Sequence, residues 1–583
     1  MTDEFYNTRL YEGEIMSDKK LSFEMCKYGV FVHLVAGLSI RSDGMSPETL
    51  DDFADNFDVE SFADTVKRMG VQYLVVTSWH YKMRPLYPSA VTEKWRPGNS
   101  VRRDLLGEII DAANERGISV ILYTHPRDGH DFEDDEKIAM GWGLGTDGRH
   151  NDVPCAENFK REIWNAYVTE LYCELADRYA HKLLAFYTDG VGSYSGKDTH
   201  FENNLQVVDY LKIRDIMKSR NPEIIMIQNF FGNLFSNDFA MPEGYFGYED
   251  VMNMAHTEKW PAANKALAIC PFGGGWMPSA DFVGKDARKM TVGDMLRYTL
   301  FNASCTAGGG LCWACSPYAE GNVWQTGVVE CMTAVGDELS RLGEGFYNAR
   351  PSKSYPTLSG DTLEGKEYTF FMTSCDGRYE YLHLMSERKT LTFANAEDGA
   401  ELLSPVSLCG GVKIESFEKN ENGYILSLFG KFDATDTVIR FERKGGEDAP
   451  RISFINDTDK RVRYEGEWKY CHLVGNKGEE GLLPHGSFES DYHKTESAGA
   501  SLFLAFEGDV IEVYGNLRKG NSSAGVYIDG IELGTLYTDT DAAQNRALLF
   551  RSGELHGGWH TLYIVNKENK TFEFDAVKII SRQ

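Results

Sequence analysis

The sequence predicts a multidomain chain: a (β/α)8-type, TIM-like barrel followed by two β-sandwich domains. Three observations predict it. From residue 28 to residue 342 short apolar runs alternate with amphipathic helical periods, the rhythm of a parallel sheet. Both faces of those runs are apolar, as strands covered by helices require. After residue 351 the helical period stops, and short alternating segments such as Tyr368-Thr369-Phe370-Phe371-Met372 take over, separated by Gly, Asp and Asn. The expected domains are residues 1–349, 350–447 and 448–583, with the run from Lys444 to Pro450 as a linker. An open doubly wound sheet is the alternative to the barrel.

Tyr28 to Val35 reads as the first strand and Val59 to Met69 as the first helix, with Phe62, Val66 and Met69 on one face and Gly70 as its stop. Val71 to Thr77 is a strand. Arg102 to Arg116 is a helix closed by Gly117, and Ile118 to Tyr123 a third strand. Asn158 to Tyr179 is a long helix, Leu183 to Thr188 a strand, Leu205 to Lys218 a helix and Ile224 to Gln228 a fifth strand. The second half is less regular until Val328 to Leu342, which reads as the last helix of the barrel.

With 583 residues the chain is too long for one core. A net charge of -28 argues against a nucleic-acid partner, because phosphate repels such a surface. No apolar run reaches membrane-spanning length, so no membrane partner is expected. The acidic start, Met1-Thr2-Asp3-Glu4, has no signal-peptide core. The 11 cysteines follow no framework, which suggests reduced thiols. The expectation is therefore cytoplasmic, or secreted or periplasmic if a signal has been removed. Cys312-Trp313-Ala314-Cys315 is a CxxC without a second pair, read as buried strand cysteines; no metal and no cofactor are expected. The run Asp128-Gly129-His130-Asp131-Phe132-Glu133-Asp134-Asp135 fits no calcium or zinc spacing and reads as an acidic solvated loop.

Chemistry gathers where the strands end. In such barrels the C-terminal strand ends face the active site. His33 lies near the first end, Trp79-His80 at the second, Tyr123-Thr124-His125 at the third and Tyr187-Thr188-Asp189 at the fourth. Three strand ends with His and one with Asp point to a pocket. Glycosidic cleavage needs two carboxyl groups, one to attack or activate water and one to protonate the leaving oxygen. Partners for Asp189 are Asp238, Glu243 and Glu249.

These stretches resemble the α-L-fucosidases of glycoside hydrolase family 29. Tyr28-Gly29-Val30-Phe31-Val32-His33 resembles their first-strand motif, and Val76-Thr77-Ser78-Trp79-His80 is similar to their paired-His motif. Arg103 to Glu108 and Arg116-Gly117-Ile118 are similar to the next helix, and Tyr187-Thr188-Asp189-Gly190 to the nucleophile motif. Asp238 to Glu243 is similar to the motif whose Glu is the acid/base in one branch, and Gly343 to Pro351 to the segment leading into the family's β-sandwich. The resemblance implies Asp189 as nucleophile, Glu243 as acid/base, and His33, Trp79, His80, Tyr123 and Tyr187 as sugar contacts. It implies a carbohydrate substrate and a retaining exo-hydrolase releasing fucose or a related terminal sugar. Trp79 stands in place of one His, Tyr187 in place of the usual Trp two before the nucleophile, and Gln228-Asn229-Phe230-Phe231-Gly232 lacks the Arg often found after strand five. The closing domain, with Gly525-Val526-Tyr527-Ile528-Asp529-Gly530 and Phe574-Asp575-Ala576-Val577-Lys578-Ile579, resembles galactose-binding-like β-sandwiches, some of which bind carbohydrate. The alternatives are a non-catalytic glycan-binding protein on a decayed barrel and, last, an esterase, for which no Gly-x-Ser-x-Gly elbow is present.

Overall fold

The computed structural model describes residues 23–581 apart from 24–25, 146–153, 156, 190–206, 209, 222–223, 230–238, 242, 245–266, 306–308, 348, 353, 356–368, 375–376, 447–450, 460, 473–490, 554 and 556–558. The chain divides into two units, with the last boundary between Gly446 and Glu447.

Among the described residues the first unit opens with nine parallel strands: β1 (Tyr28–Val32), β2 (Tyr73–Thr77), β3 (Ser119–Thr124), β4 (Ala185–Thr188), β5 (Ile225–Gln228), β6 (Phe239–Ala240), β7 (Glu243–Gly244), β8 (Leu267–Ile269) and β9 (Leu311–Ala314). Their order across the sheet is β6-β5-β4-β3-β2-β1-β9-β8-β7. Alternate residues of each strand face opposite ways, and they sort into two cores. Phe31, Tyr73, Val75, Ile121, Tyr123, Ala185, Tyr187, Ile225, Ile227, Met241, Ala268, Cys312 and Ala314 share one apolar cluster. Val30, Leu74, Val120, Phe186, Met226 and Trp313 belong to the other, which they share with the helices. The sheet is strongly curled. Three strand spacings in a flat sheet put side chains about 14 Å apart, yet the rings of Phe31 on β1 and Tyr187 on β4 are 5.9 Å apart. Gly29 is needed inside this curl, because a Cβ there would lie 2.2 Å from the Tyr73 ring.

Helices α1 (Val59–Arg68), α2 (Leu105–Glu115), α3 (Arg161–Tyr179), α4 (Tyr210–Arg220), α5 (Val292–Cys305) and α6 (Val328–Leu342) accompany the strands. The last returns to the first: a Cβ on Gly336 of α6 would sit 2.2 Å from the Met69 carbonyl oxygen at the end of α1.

Several expected boundaries shift for local reasons. β1 stops at Val32, not Val35, because the next three amides bond to side chains: His33 to Ser316 Oγ, Leu34 to Thr77 Oγ1 and Val35 to Ser39 Oγ. The helix expected from Arg102 starts at Leu105, since Asp104 caps it by accepting from the Gly107 amide at 3.0 Å. Residues 205 and 206 of the fourth expected helix lie outside the described residues, and α4 begins at Tyr210. Cys312 and Cys315 are both buried, one in each core, so the CxxC pair is split between the two faces of the sheet.

Beyond α6 the first unit continues into antiparallel sheets of five and three strands. Leu382, Leu384, Ile439 and Phe441 of the larger pack on Leu391, Phe393, Tyr424 and Leu426 of the smaller. The larger sheet also turns Phe370, Met372, Tyr381 and Val438 into the helix-covered core. His383 staples that contact: Nδ1 is 2.7 Å from Asp436 Oδ2, and Nε2 is 2.9 Å from the Gly345 carbonyl. Both His383 and Asp436 are fully buried, and the imidazole stacks on Phe370. The second unit holds antiparallel sheets of six and five strands around their own core, including Ile511, Val513, Phe574 and Val577 from one and Leu502, Leu504, Val526 and Leu562 from the other.

Replacing His383 with Leu leaves Asp436 buried without its partner, a loss of about 3–5 kcal/mol. Calorimetry is expected to show the first unit unfolding several degrees lower in His383→Leu; an unchanged midpoint contradicts the staple.

Candidate active site

The ends of β1 to β5 and the β6–β7 run bring the site together. Asp189 follows β4 directly, and its amide is held by the Thr124 carbonyl of β3. Its Oδ2 accepts a hydrogen bond from the Tyr123 hydroxyl at 2.7 Å. Glu243, on β7, lies 3.1 Å through Oε1 from the Tyr187 hydroxyl, and its amide donates to Asn229 Oδ1. The two tyrosine rings touch edge to face, 5.1 Å between centroids. Neighbouring inward positions on β3 and β4 thus each present a hydroxyl to one carboxyl.

The two carboxyls are treated unequally. Burial, and then the charge of Asp189, holds the Glu243 carboxyl well above the usual carboxylate range, against smaller opposing pulls from Tyr187, His80 and Asn229. That is the direction a proton donor needs. The Tyr187 hydroxyl also lies 2.5 Å from the Met241 carbonyl. Its proton is shared between that carbonyl and Glu243 Oε1, and the share given to Glu243 is one of the pulls that oppose the raised pKa. Burial raises both phenols as well, followed by Asp189 for Tyr123 and Glu243 for Tyr187, so both remain donors.

Beside the carboxyls stand three imidazoles. His33 is buried, with Nδ1 unpartnered among the described residues, and burial followed by the His80 charge lowers its pKa well below the ordinary value. Its ring is 5.6 Å from Tyr123, 6.4 Å from His80 and 5.1 Å from Trp276. His80 stacks on His125 at 5.3 Å. His125 Nε2 is 4.0 Å from Asp189 Oδ2. Burial works against charge on both of these histidines, but Asp128 outweighs it, and His125 is raised to about 9.

Two expected sugar contacts take other roles. Tyr123 and Tyr187 are wholly buried in the inner core, and their hydroxyls are committed to Asp189 and to Met241 and Glu243. Trp79 is a plain correction. It is 0% exposed, packs edge to face on Tyr172 of α3 and donates through Nε1 to the His125 carbonyl. It lies in the core between sheet and helices, because the chain leaving β2 turns that position outward while His80 turns in. The turn is built from Lys82 and Met83, both left-handed at φ 54° and 43°, and is held by Arg96, whose guanidinium donates to the Lys82 carbonyl at 2.7 Å.

The expected acidic solvated loop is also corrected. Asp134 to Ala139 forms a short helix, but Asp128 is fully buried between His80 and His125. The spacing of charges gave no sign of this. Trp276 was not singled out by sequence either; it packs on Phe31 and His33, and its carbonyl accepts from Ser316 Oγ. Asp238 and Glu249, the rival partners of Asp189, lie outside the described residues, as do Gly190 and residues 230–232 of the strand-five motif.

An alpha-L-fucosidase family model matches residues 48–265. A curated relative, a putative alpha-L-fucosidase of Caenorhabditis elegans, is 35% identical over 71 residues, a match spanning 12% of this chain and only 15% of that relative. Among solved structures, an alpha-L-fucosidase of Vibrio sp. strain EJY3 aligns over 97% of this chain and 98% of its own, with a TM-score of 0.53 and 11% identity. One from Bacteroides thetaiotaomicron aligns over 73% and 94%, with a TM-score of 0.51 and 15% identity. At these identities the structures establish a shared fold.

An infrared difference spectrum between this protein and Glu243→Gln is expected to show a protonated-carboxyl band at neutral pH. In Asp189→Asn, where the neighbouring charge is gone, the band is expected to disappear at lower pH. No such band in the unsubstituted protein contradicts the assignment of Glu243 as the neutral member of the pair.

Proposed function

We propose that this chain, a divergent relative of the alpha-L-fucosidases, is a retaining exo-glycoside hydrolase that releases fucose or a related terminal sugar. The observation that carries the reading is the carboxyl pair itself: a half-buried Glu243 against the Tyr187 hydroxyl and Asp189 against the Tyr123 hydroxyl, with the Asp189 charge helping to hold the Glu243 carboxyl above the usual range.

In the proposed reaction Asp189 attacks the anomeric carbon and forms a glycosyl ester, while Glu243 gives its proton to the departing oxygen. The ester removes the Asp189 charge, which is the second largest cause of the raised Glu243 pKa. Glu243, now ionised, is relieved of that repulsion and takes a proton from water in the second step. Water attacks the same carbon and Asp189 leaves as a carboxylate. A retaining geometry places the two carboxyls about 5–5.5 Å apart. His33 Nδ1, buried and without a partner among the described residues, is suited to a sugar hydroxyl, and Trp276 beside it to the apolar face of the ring.

We infer further that the strand ring is closed in the (β/α)8 manner. β6 pairs with β5 and β7 pairs with β8, and only Met241 and Pro242 separate β6 from β7. Read as one strand, this run joins the two ends of the sheet and makes eight. Glu243 then sits on the strand that closes the ring.

On an aryl α-L-fucoside, Asp189→Gly is expected to lose turnover. Glu243→Gln is expected to lose about 10²–10⁴-fold in kcat/KM on substrates with poor leaving groups, and much less on activated ones. The basic limb of the pH profile falls as Glu243 loses its proton, so Glu243→Gln flattens it. Full activity in either variant, or no cleavage by the unsubstituted protein across a broad glycoside panel, rejects the reading.

A further inference from the structure

One buried carboxylate beside the pocket has no part in the proposed bond changes. Asp128 opens a single-turn 3-10 helix, Asp128–Asp131, and is entirely enclosed. Its Oδ2 lies 3.1 Å from His80 Nδ1 and its Oδ1 lies 3.0 Å from His125 Nδ1, a nitrogen that the Arg127 amide also approaches at 3.4 Å. The two rings lie nearly parallel, 18° apart. A stacked pair of imidazoliums repels itself; a shared anion at both Nδ1 atoms offsets that repulsion. With Nδ1 facing Asp128, each ring turns Nε2 the other way. That of His125 comes within 4.0 Å of Asp189, and His80 keeps about a third of its side chain open to solvent.

We propose that Asp128 is a positioning residue that clamps His80 and His125 through Nδ1, and so keeps a charged N–H beside Asp189 when that carboxylate leaves the glycosyl ester. This rests on Asp189 being the nucleophile. In the second step the water oxygen bonds to the anomeric carbon, the bond from that carbon to the Asp189 oxygen breaks with its electron pair going to the carboxylate, and the water proton goes to Glu243. The imidazolium of His125 stabilises the departing carboxylate. In the first step the same cation stabilises the free carboxylate before attack, so it gives no advantage there. The clamp therefore acts on hydrolysis of the ester rather than on its formation.

Charges from every neighbouring element bear on these rings. Asp128 and Asp189 favour the charge on His125 and Arg127 opposes it; Asp128 and Asp189 favour the charge on His80 and His125 opposes it. His33, Glu243 and Asp131 feel His80 in turn. Asp128 is held well below the usual carboxylate range: burial alone raises it, and His125 and His80 overcome that.

The test joins kinetics on an activated aryl fucoside, where ester hydrolysis limits turnover, to histidine titration by NMR. In Asp128→Asn, kcat and KM are expected to fall together by about tenfold, with kcat/KM nearly kept. The His125 titration is expected to move from about 9 towards 6.5. His125→Gln carries the same kinetic split should Asp128→Asn fail to fold. A fall of kcat/KM in step with kcat, or a His125 titration unmoved by Asp128→Asn, overturns the proposal. If the unsubstituted protein cleaves no glycoside, the nucleophile reading falls with its kinetic part, and the NMR titration alone judges the clamp.

Discussion

Two carboxyl groups are held against the hydroxyls of two tyrosines from one inner apolar layer, and much of the first unit is arranged to keep them there. Burial makes a charged Glu243 costly, and the Asp189 charge makes it costlier. Asp189 is supplied with a phenol donor and a nearby imidazole. The asymmetry comes from the scaffold: Asp189 follows β4, whereas Glu243 opens β7. Tyr123 and Tyr187 belong to the inner apolar layer, so the packing that curls the sheet also sets the two hydroxyls on which the carboxyls rest. A substitution that loosens that layer disturbs both at once.

Sequence made the strand ends legible because a buried parallel strand has a plain signature: an apolar run that stops at a polar group. Asp189 follows β4, and His33 follows β1. Helix ends were legible to within a few residues where a cap was visible, as at Gly70, and drifted where a side-chain cap competed, as at Asp104. The facing of residues just past a strand was not legible. Two-residue alternation fixes direction only while the strand lasts. After Thr77 the chain turns through left-handed Lys82 and Met83, and Trp79 and His80 part company.

Asp128 shows a different limit. In a run crowded with Asp and Glu, composition speaks for solvent. What buries it is a pair of histidines from the ends of β2 and β3, and the contact between His80 and Asp128 spans 48 positions in the chain. Trp276 was hidden for a like reason: it reaches Phe31 and His33 from a loop after β8, far along the sequence from β1. The all-β texture beyond residue 351 was plain, but the sharing of a core between the helices and the first antiparallel sheet was not.

The central claim is that Asp189 becomes covalently glycosylated. Incubating the unsubstituted protein with 2-deoxy-2-fluoro-α-L-fucosyl fluoride and mapping the digested peptides by mass spectrometry tests it most directly. The account predicts one sugar adduct, on the peptide carrying Asp189 and on that side chain. An adduct on another residue, or hydrolysis of the reagent with inversion and no adduct, contradicts it.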